Sequence, residues 1–589
     1  MGEWIVGTPR PACNRAVRRN GLRTAAPSLV LFLLLAGAGV AAAGPGADVA
    51  AAQNQPSDAG GAGPDSLWRR SGDIRKVQLH RYDVFTGEEG GVFQWVYKIM
   101  NALHTTTKPF VIHNEILIRE GEPFDSLKMV ESVRLLRQRG IFEEVKGWLE
   151  PADSGVVAHI QTRDYWTLDL QTGFGKEGGE TDVVLGLLDS NFFGTGNLFS
   201  FTRRWSTDKS QSRWAFFAPR LLGRRENVAG EYRDNTDGIV KAVFAGHEYE
   251  NPLAPWSYGF SGYRFRGRYP IYESAEEKVR IRLEEHVGGF HLGYYPGRNV
   301  QFGGGVGFYL YDFEPDTLQV FEELETPLER PDPRRLRMPF VTVGLQQRRF
   351  VQTMNLDQFG VVEDYPIGWN IQAQLGRTLS DLGGKGERSY TAFQTRVSAP
   401  LGGGFWGSAT GSGGMFWKDG LAGERRARAR TMLFRRHSPW ALSALQVSGQ
   451  IGEDAPVEER RYLGGSSGLR GYPVRSFEAR DYLLVNFEHR IWTPLRIHIF
   501  RFGFSAFWDT GLAAGLGRPI DEFSWKHGAG AGLLIGNRKS ASGILRVEVA
   551  RRLDGGDAWD FTIAMSHLLQ FAPRLTLAQP ALDVFDHLP

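Results

Sequence analysis

The feature that most constrains this chain is a strict two-residue alternation that fills its C-terminal part. In 481–490, Leu483, Val485 and Phe487 alternate with Leu484, Asn486, Glu488 and Arg490. In 501–509, Phe502, Phe504, Ala506 and Trp508 alternate with Arg501, Gly503, Ser505, Phe507 and Asp509. The pattern recurs in 527–536, 543–551 and 559–566, where Leu545, Val547 and Val549 oppose Arg546 and Glu548, and Trp559 and Phe561 oppose Asp560 and Thr562. Successive strand side chains point to opposite faces, so each segment has one apolar face and one polar or glycine face. Segments of about 10 residues suit strands that cross a bilayer, apolar toward lipid and polar toward a lumen. A soluble sandwich would also alternate, but its aromatics would point into a core and its strands would be shorter.

Just upstream lies 461–477, RYLGGSSGLRGYPVRSF. With four glycines, three serines and a proline it cannot form a regular helix or a central strand. It reads as a long connection between two strands, with Arg470 and Tyr472 near its middle. Parity places Glu488 and Asp509 on the inward face of their strands. Arginine is always charged and forks onto carboxylates, so Arg470 against Glu488 or Asp509 is the one constellation with a mechanism. Such a pair would hold the loop inside the lumen and could break to let it open.

The N-terminus reads as a signal peptide over 1–43. Five arginines precede an apolar core at 29–40, and Ala41-Ala42-Ala43 ends in a small-residue cleavage pattern. Its removal takes the formal charge from +3 to about −1, so the basic balance is a targeting feature and does not argue for nucleic acid. The single cysteine, Cys13, falls in this segment, which rules out thiol catalysis in the exported chain. Mean hydropathy is −0.30, and no later run is long and apolar enough for a spanning helix. A membrane protein of this sequence must therefore cross as a closed barrel.

A Gly-, Ala- and Pro-rich linker covers 44–73. A small α+β unit follows over 74–163: a strand at 74–85, helices at 91–104, 110–119 and 126–139, and strands at 142–149 and 156–162. Asp125 caps the third helix and Gly140 stops it. From residue 164 alternation resumes, with Trp166 and Leu168 on one face, and a turn follows at 189–197, DSNFFGTGN. About fifteen candidate segments precede residue 452 and five follow the Arg470 loop. The acidic, proline-containing stretch 312–332 reads as a large surface loop.

No catalytic or metal-binding constellation emerges. Ser466 sits in a G-x-S-x-G pattern, but no helix follows it as a nucleophile elbow requires. The GFGKEG at 173–178 reads as a hairpin turn, since no helix opens there. The histidines are scattered, with His489 and His527 on the lipid or rim face.

GGSSGLRGY, the strand VNFEHR and then FWDTG resemble the BamA/TamA-type outer-membrane assembly and translocation family, which includes the two-partner secretion pores. In that family a long loop with a (V/L)RG(F/Y) tip precedes five strands, one bearing F-x-D-x-G. The tip here is Leu469, Arg470, Gly471 and Tyr472, and the motif strand has Phe507, Asp509 and Gly511. The run VIHNEILIREGEPFDSLKMVESVRLLRQRGIFEEV is similar to the family's POTRA domain. The resemblance implies an all-β transmembrane antiparallel barrel of about 16 strands at 164–571, behind one POTRA-like domain. It implies a loop folded into the lumen and a weak seam between the last strand (Trp559, Phe561, Phe571) and the first (Trp166, Leu168). A tail at 572–589 departs from the family pattern. The implied role is inserting or translocating unfolded outer-membrane or secreted polypeptides in the bacterial outer membrane, with no cofactor and with periplasmic accessory proteins as further partners. A dedicated secretion pore, or a passive porin or adhesin on the same scaffold, are the alternatives; an enzyme is not expected.

Overall fold

The computed structural model describes residues 72–564 except 86–94, 96–97, 99–100, 102–103, 178–179, 208, 248–253, 298, 325–327, 329, 358–361, 419–420, 454–460, 466, 498–499, 516–523, 538–543 and 556–558. The expected signal 1–43, nearly all of linker 44–73, Ser466, Phe571 and the tail 572–589 lie outside the described residues. So does most of the helix expected at 91–104, of which Trp95, Lys98 and Asn101 are helical.

The first unit is a three-stranded sheet under two helices. Strand β1 (Ile74–Tyr82) pairs in parallel with β3 (Gly155–Asp164), which pairs antiparallel with β2 (Phe142–Ala152). Helix α1 (Pro109–Glu115) is shorter than its sequence suggests. Helix α2 (Ser126–Gln138) starts where expected: the Asp125 carboxylate accepts the Leu127 and Lys128 N–H groups at 2.8 and 3.4 Å. It ends at Gly140, whose φ of +67° a side chain would strain. Met129 and Leu136 of α2 join Ile74, Ile112, Val145 and Ile160 in one core. Each fully buried aliphatic side chain there contributes about 1.5–3 kcal/mol.

The rest of the chain is one antiparallel sheet. Its first strands are β4 (Leu168–Glu177), β5 (Glu180–Asp189), β6 (Leu198–Trp205), β7 (Ser210–Ala218), β8 (Asn227–Asn235) and β9 (Gly238–His247). Five long strands follow: β10 (Trp256–Glu273), β11 (Glu276–Tyr294), β12 (Gln301–Val320), β13 (Arg334–Met354) and β14 (Val362–Thr378). Then come β15 (Arg388–Gly402), β16 (Phe405–Lys418), β17 (Leu421–Ser438) and β18 (Ala441–Glu453). A short hairpin, β19 (Tyr462–Leu463) with β20 (Phe477–Glu478), stands apart from the sheet. The sheet ends with β21 (Asp481–Ile497), β22 (Phe500–Ala514), β23 (Lys526–Asn537), β24 (Ile544–Arg552) and β25 (Trp559–Ala564).

Each strand pairs with the next, and the order returns to its start, β25 lying beside β4, as in a β-barrel. Among the described residues the sheet has twenty strands, which corrects the expected sixteen. From β4 to β18 the described residues form fifteen strands, each paired with its neighbours in the sheet. The resemblance set the lower number; alternation offered about fifteen segments before residue 452 and five after the Arg470 loop and did not by itself fix the count. The barrel's first strand also starts later than expected. Trp166 precedes β4, because residues 165–167 leave β3 and turn into the sheet. The stretch 312–332 is likewise a loop only in its second half. Strand β12 continues to Val320 along β11, and Pro315 is tolerated because β13 stops pairing at Phe313 and leaves that edge open.

Alternation sorts the faces. On β21 Asn486, Glu488 and Arg490 are buried while Phe487 is exposed; on β22 Ser505, Phe507 and Asp509 are buried while Phe504 and Trp508 are exposed. On these strands the outer face is thus aromatic and aliphatic and the inner face polar, whereas the inward positions of β10 to β13 form a buried apolar cluster that includes Ile281, Phe313 and Met338. Hairpins alternate between two ends of the barrel. At the near end the small unit is fastened to three turns. Lys108 N–H donates to Gly194 O at 2.9 Å, Arg139 to Gly196 O at 2.6 Å, and Asn191 Nδ2 to Thr107 Oγ1 at 2.8 Å. Arg220 reaches Glu115 at 2.6 Å, and Arg137 of α2 forks onto Asp364 at 2.9 and 2.8 Å.

Candidate functional site in the barrel interior

The connection from β18 to β21 leaves the far end and turns inward. Two glycines make the turn possible. A Cβ at Gly468 (φ +115°) would lie 2.2 Å from Leu484 Cδ2, and one at Gly471 (φ +91°) would lie 3.1 Å from the Arg551 backbone. Only a residue without a side chain can pass that close in that conformation. Leu469 and Arg470 between them are driven against the inner wall. Leu469 packs with Leu463, Tyr472 and Leu484, in space left open by Gly511, where a Cβ would sit 3.2 Å from Leu469.

Arg470 is 3% exposed and meets three carboxylates. Nε donates to Asp509 Oδ2 at 2.7 Å and Nη2 to Asp509 Oδ1 at 2.9 Å. Nη1 donates to Glu488 at 3.1 Å and to Glu548 at 3.3 Å. The guanidinium also lies over the Phe507 ring, 3.5 Å from its centroid, an arrangement that favours a desolvated cation. Phe507, Asp509 and Gly511 therefore share one face of β22 and all three touch the loop tip. Tyr472 fixes the other side of the tip through its hydroxyl, which bonds to Asp554 and to the His527 backbone.

Sequence reasoning named Arg470, Asp509 and Glu488 and omitted Glu548, Asn486, Arg490 and Arg546. Their signal was the same parity: Asn486 and Arg490 lie two residues from Glu488, and Arg546 and Glu548 lie opposite the apolar face of their own strand. Asn486 bridges loop and wall, donating to Gly468 O and Asp509 Oδ1, both at 2.7 Å. Arg490 donates to Glu488 at 2.7 Å and Arg546 meets Glu548 at 3.1 Å. Three carboxylates thus face three guanidiniums in a buried, mutually compensated cluster.

The cluster extends toward the near end. Arg490 Nη1 donates to Leu356 O at 3.3 Å and lies 3.8 Å from Asp357. Residues 355–357, between β13 and β14, fold inward there. Leu356 packs on Tyr365, Met432, Phe434 and Leu442, and Asn355 donates across to Pro439 O at 2.9 Å. Glu363 accepts the Leu356 and Asp357 N–H groups at 2.8 and 3.1 Å, and its neighbour Asp364 is held by Arg137. Contacts therefore run without a gap from the far-end loop to the small unit.

At the seam, Trp559 and Phe561 point outward on β25, and Leu168 opens β4. Trp166 precedes that strand. Among the described residues no group of three metal-ligating side chains comes together; His489 bonds Ser443 and His527 bonds Thr510, both at 2.8 Å.

No known family profile and no curated protein matches this chain. Among solved structures it is similar to BamA from Haemophilus ducreyi lacking POTRA domains 1–3, at 13% identity over 83% of this chain and 84% of that one, with a TM-score of 0.34. It is also similar to CdiB from Acinetobacter baumannii, at 13% identity over 84% of this chain and 74% of that one (TM-score 0.42), and to CdiB from Escherichia coli, at 11% identity over 92% and 98% (TM-score 0.40).

Proposed function

We propose that this chain is an outer-membrane barrel of the BamA/TamA type that inserts or translocates other polypeptides. The observation that carries the reading is the Leu469-Arg470-Gly471-Tyr472 tip seated on Asp509, Glu488 and Glu548 inside the barrel. A channel left open for diffusion has no use for a buried clamp that holds a loop in its lumen. In this reading 1–43 is the signal, 44–73 the linker, and 74–163 a POTRA-like periplasmic domain. That domain offers the free edges of β1 and β2 to extended chains, where backbone bonds give affinity with little sequence preference. The barrel crosses the outer membrane with its aromatic face in lipid. Client strands enter at the β25–β4 seam, where the last strand of the sheet meets the first. Strand pairing drives the process, with no cofactor and no covalent chemistry.

Proteoliposomes holding the refolded chain should speed the membrane folding of a urea-unfolded outer-membrane barrel over empty vesicles. Uptake of an unfolded secreted polypeptide without such acceleration would favour a dedicated secretion pore. Neither effect, together with a large steady conductance in wild type, would leave a passive porin.

A further inference from the structure

Charges on the interior wall are matched at contact distance almost strand by strand. Glu488, Asp509 and Glu548 face Arg470, Arg490 and Arg546. Arg213 and Arg233 share Glu231, and Arg204 takes Asp182. The quarter of the wall built by β15 to β18 is different. Register places Arg396, Thr410, Arg430, Ser448 and the inward Leu484 in one row across neighbouring strands. Counting by twos from that row, the inward positions at 390–400, 406–416, 426–436 and 442–452 include five arginines (396, 426, 428, 430 and 436) and no carboxylate; the next inward carboxylate on β17, Glu424, is taken by Arg334 and Arg388.

Three of these arginines donate to neutral oxygens. Arg430 donates to Gln446 Oε1 at 2.6 Å, Arg428 to Gln450 Oε1, and Arg436 to Thr353 Oγ1 at 2.6 Å and to Met354 O. A neutral acceptor orients a guanidinium without cancelling its charge. Asp357 and Glu363 lie at the near end of the same wall; their contacts are to Arg490 and the amides of 356–357, and through space Asp357 also acts on Arg430 and Glu363 on Arg436. Arg396 and Arg430 are exposed although they point inward, so they face the open interior. Adjacent strands are about 4.8 Å apart, which puts these two arginines, two strands apart, at a spacing that one anion can bridge.

We propose that this wall is an anion site that makes the barrel interior selective for small inorganic anions over cations. A stripe of one sign in a low-dielectric channel concentrates counter-ions and repels co-ions, and arginine suits anions because it is weakly hydrated and never deprotonates. The proposal rests on the sheet spanning a membrane as a barrel and does not depend on whether polypeptides pass through it.

The test is the reversal potential of the refolded full-length chain in planar bilayers under a steep KCl gradient. Wild type should prefer chloride over potassium by roughly tenfold at low salt. Replacing both Arg396→Gln and Arg430→Gln should bring the ratio close to parity. Arg425→Gln, a far-rim residue paired with Glu453, should leave it unchanged. A wild-type pore that is unselective or prefers potassium overturns the proposal, whether or not the double variant folds. So does a lack of conductance in both wild type and Arg470→Ala, since no ions would then pass the wall. Failure of the client-folding assay with anion preference intact would sink the insertion reading alone.

Discussion

Arg470 and Asp509 meet through two parallel hydrogen bonds, at 2.7 and 2.9 Å, and the Arg470 main-chain N–H adds a third bond to the same carboxylate at 3.2 Å. Only a planar fork can make the side-chain pair while a further nitrogen serves Glu488 and Glu548. Arg470→Ala would leave three buried carboxylates facing two arginines, a loss of about 3–5 kcal/mol. The expected result is a loop over 461–480 that proteases cut readily, with a larger single-channel conductance. Arg470→Lys should fall between wild type and alanine. Unchanged protease sensitivity in the alanine variant would mean that other contacts hold the loop.

Gly528 gives a steric test of the same seat without touching a charge. A Cβ there would lie 2.1 Å from Arg470 O, so Gly528→Ala must push the tip off the wall. Its protease sensitivity should approach that of Arg470→Ala. Gly230, where a Cβ meets nothing within 4 Å, is the control, and its alanine variant should shift stability by less than about 0.5 kcal/mol.

Arg490 is the hinge between the loop cluster and the inward turn at 355–357. Arg490→Gln removes the charge that joins Glu488 to Leu356 O while keeping a donor in place. The turn should then open toward the near end. The chain has one cysteine, in the expected signal, so a cysteine placed at Leu356 can be labelled cleanly in the mature protein. Labelling should speed up several-fold in the Arg490→Gln background, and equal rates would show that Leu356 is held by its apolar cluster alone.

The junction between the small unit and the barrel should respond to pH through Asp164, at the end of β3. Burial pushes its carboxyl up to about 6, against the opposing pull of the Thr107 N–H and hydroxyl and of nearby His104. A carboxyl whose folded pKa lies above its unfolded 3.8 stabilises the fold most below 3.8, and that contribution is lost as pH rises through about 6. The whole effect is at most about 3 kcal/mol. Hydrogen exchange at 104–108 and 189–197 should therefore be slower near about pH 5 than near about pH 8, after correction for intrinsic rates. Asp164→Asn should flatten the difference; an unaltered pH slope in that variant would assign it to another group.

Much of this architecture was legible because strand parity is a local rule. Glu488 and Asp509 could be turned inward from neighbours two residues away, and alternation marked about twenty candidate segments without fixing the strand count. The Asp125 cap and the Gly140 stop of α2 were equally local. The same rule would have reached Glu548, Arg546 and Arg490, had it been applied as an inventory of every inward charge instead of a search for partners to Arg470. The start of β4 was misplaced at Trp166 because an alternating pattern has no marker for where pairing begins. The run of β12 past Pro315 was missed because that residue's tolerance depends on β13 having already stopped.

The sequence by itself determined the strands, their two faces and the glycine-rich loop with a lone arginine at its tip, since each depends on residues a few positions apart. Only the tertiary structure decided which side chains meet. Residues 470, 488, 509 and 548 converge because four segments close around one interior, and the turn at 355–357 joins them from the other end of the barrel. Parity assigns a residue to a face. Which residues on that face share one height depends on the stagger between strands and on how far each inward loop reaches, and both follow from closing the whole sheet.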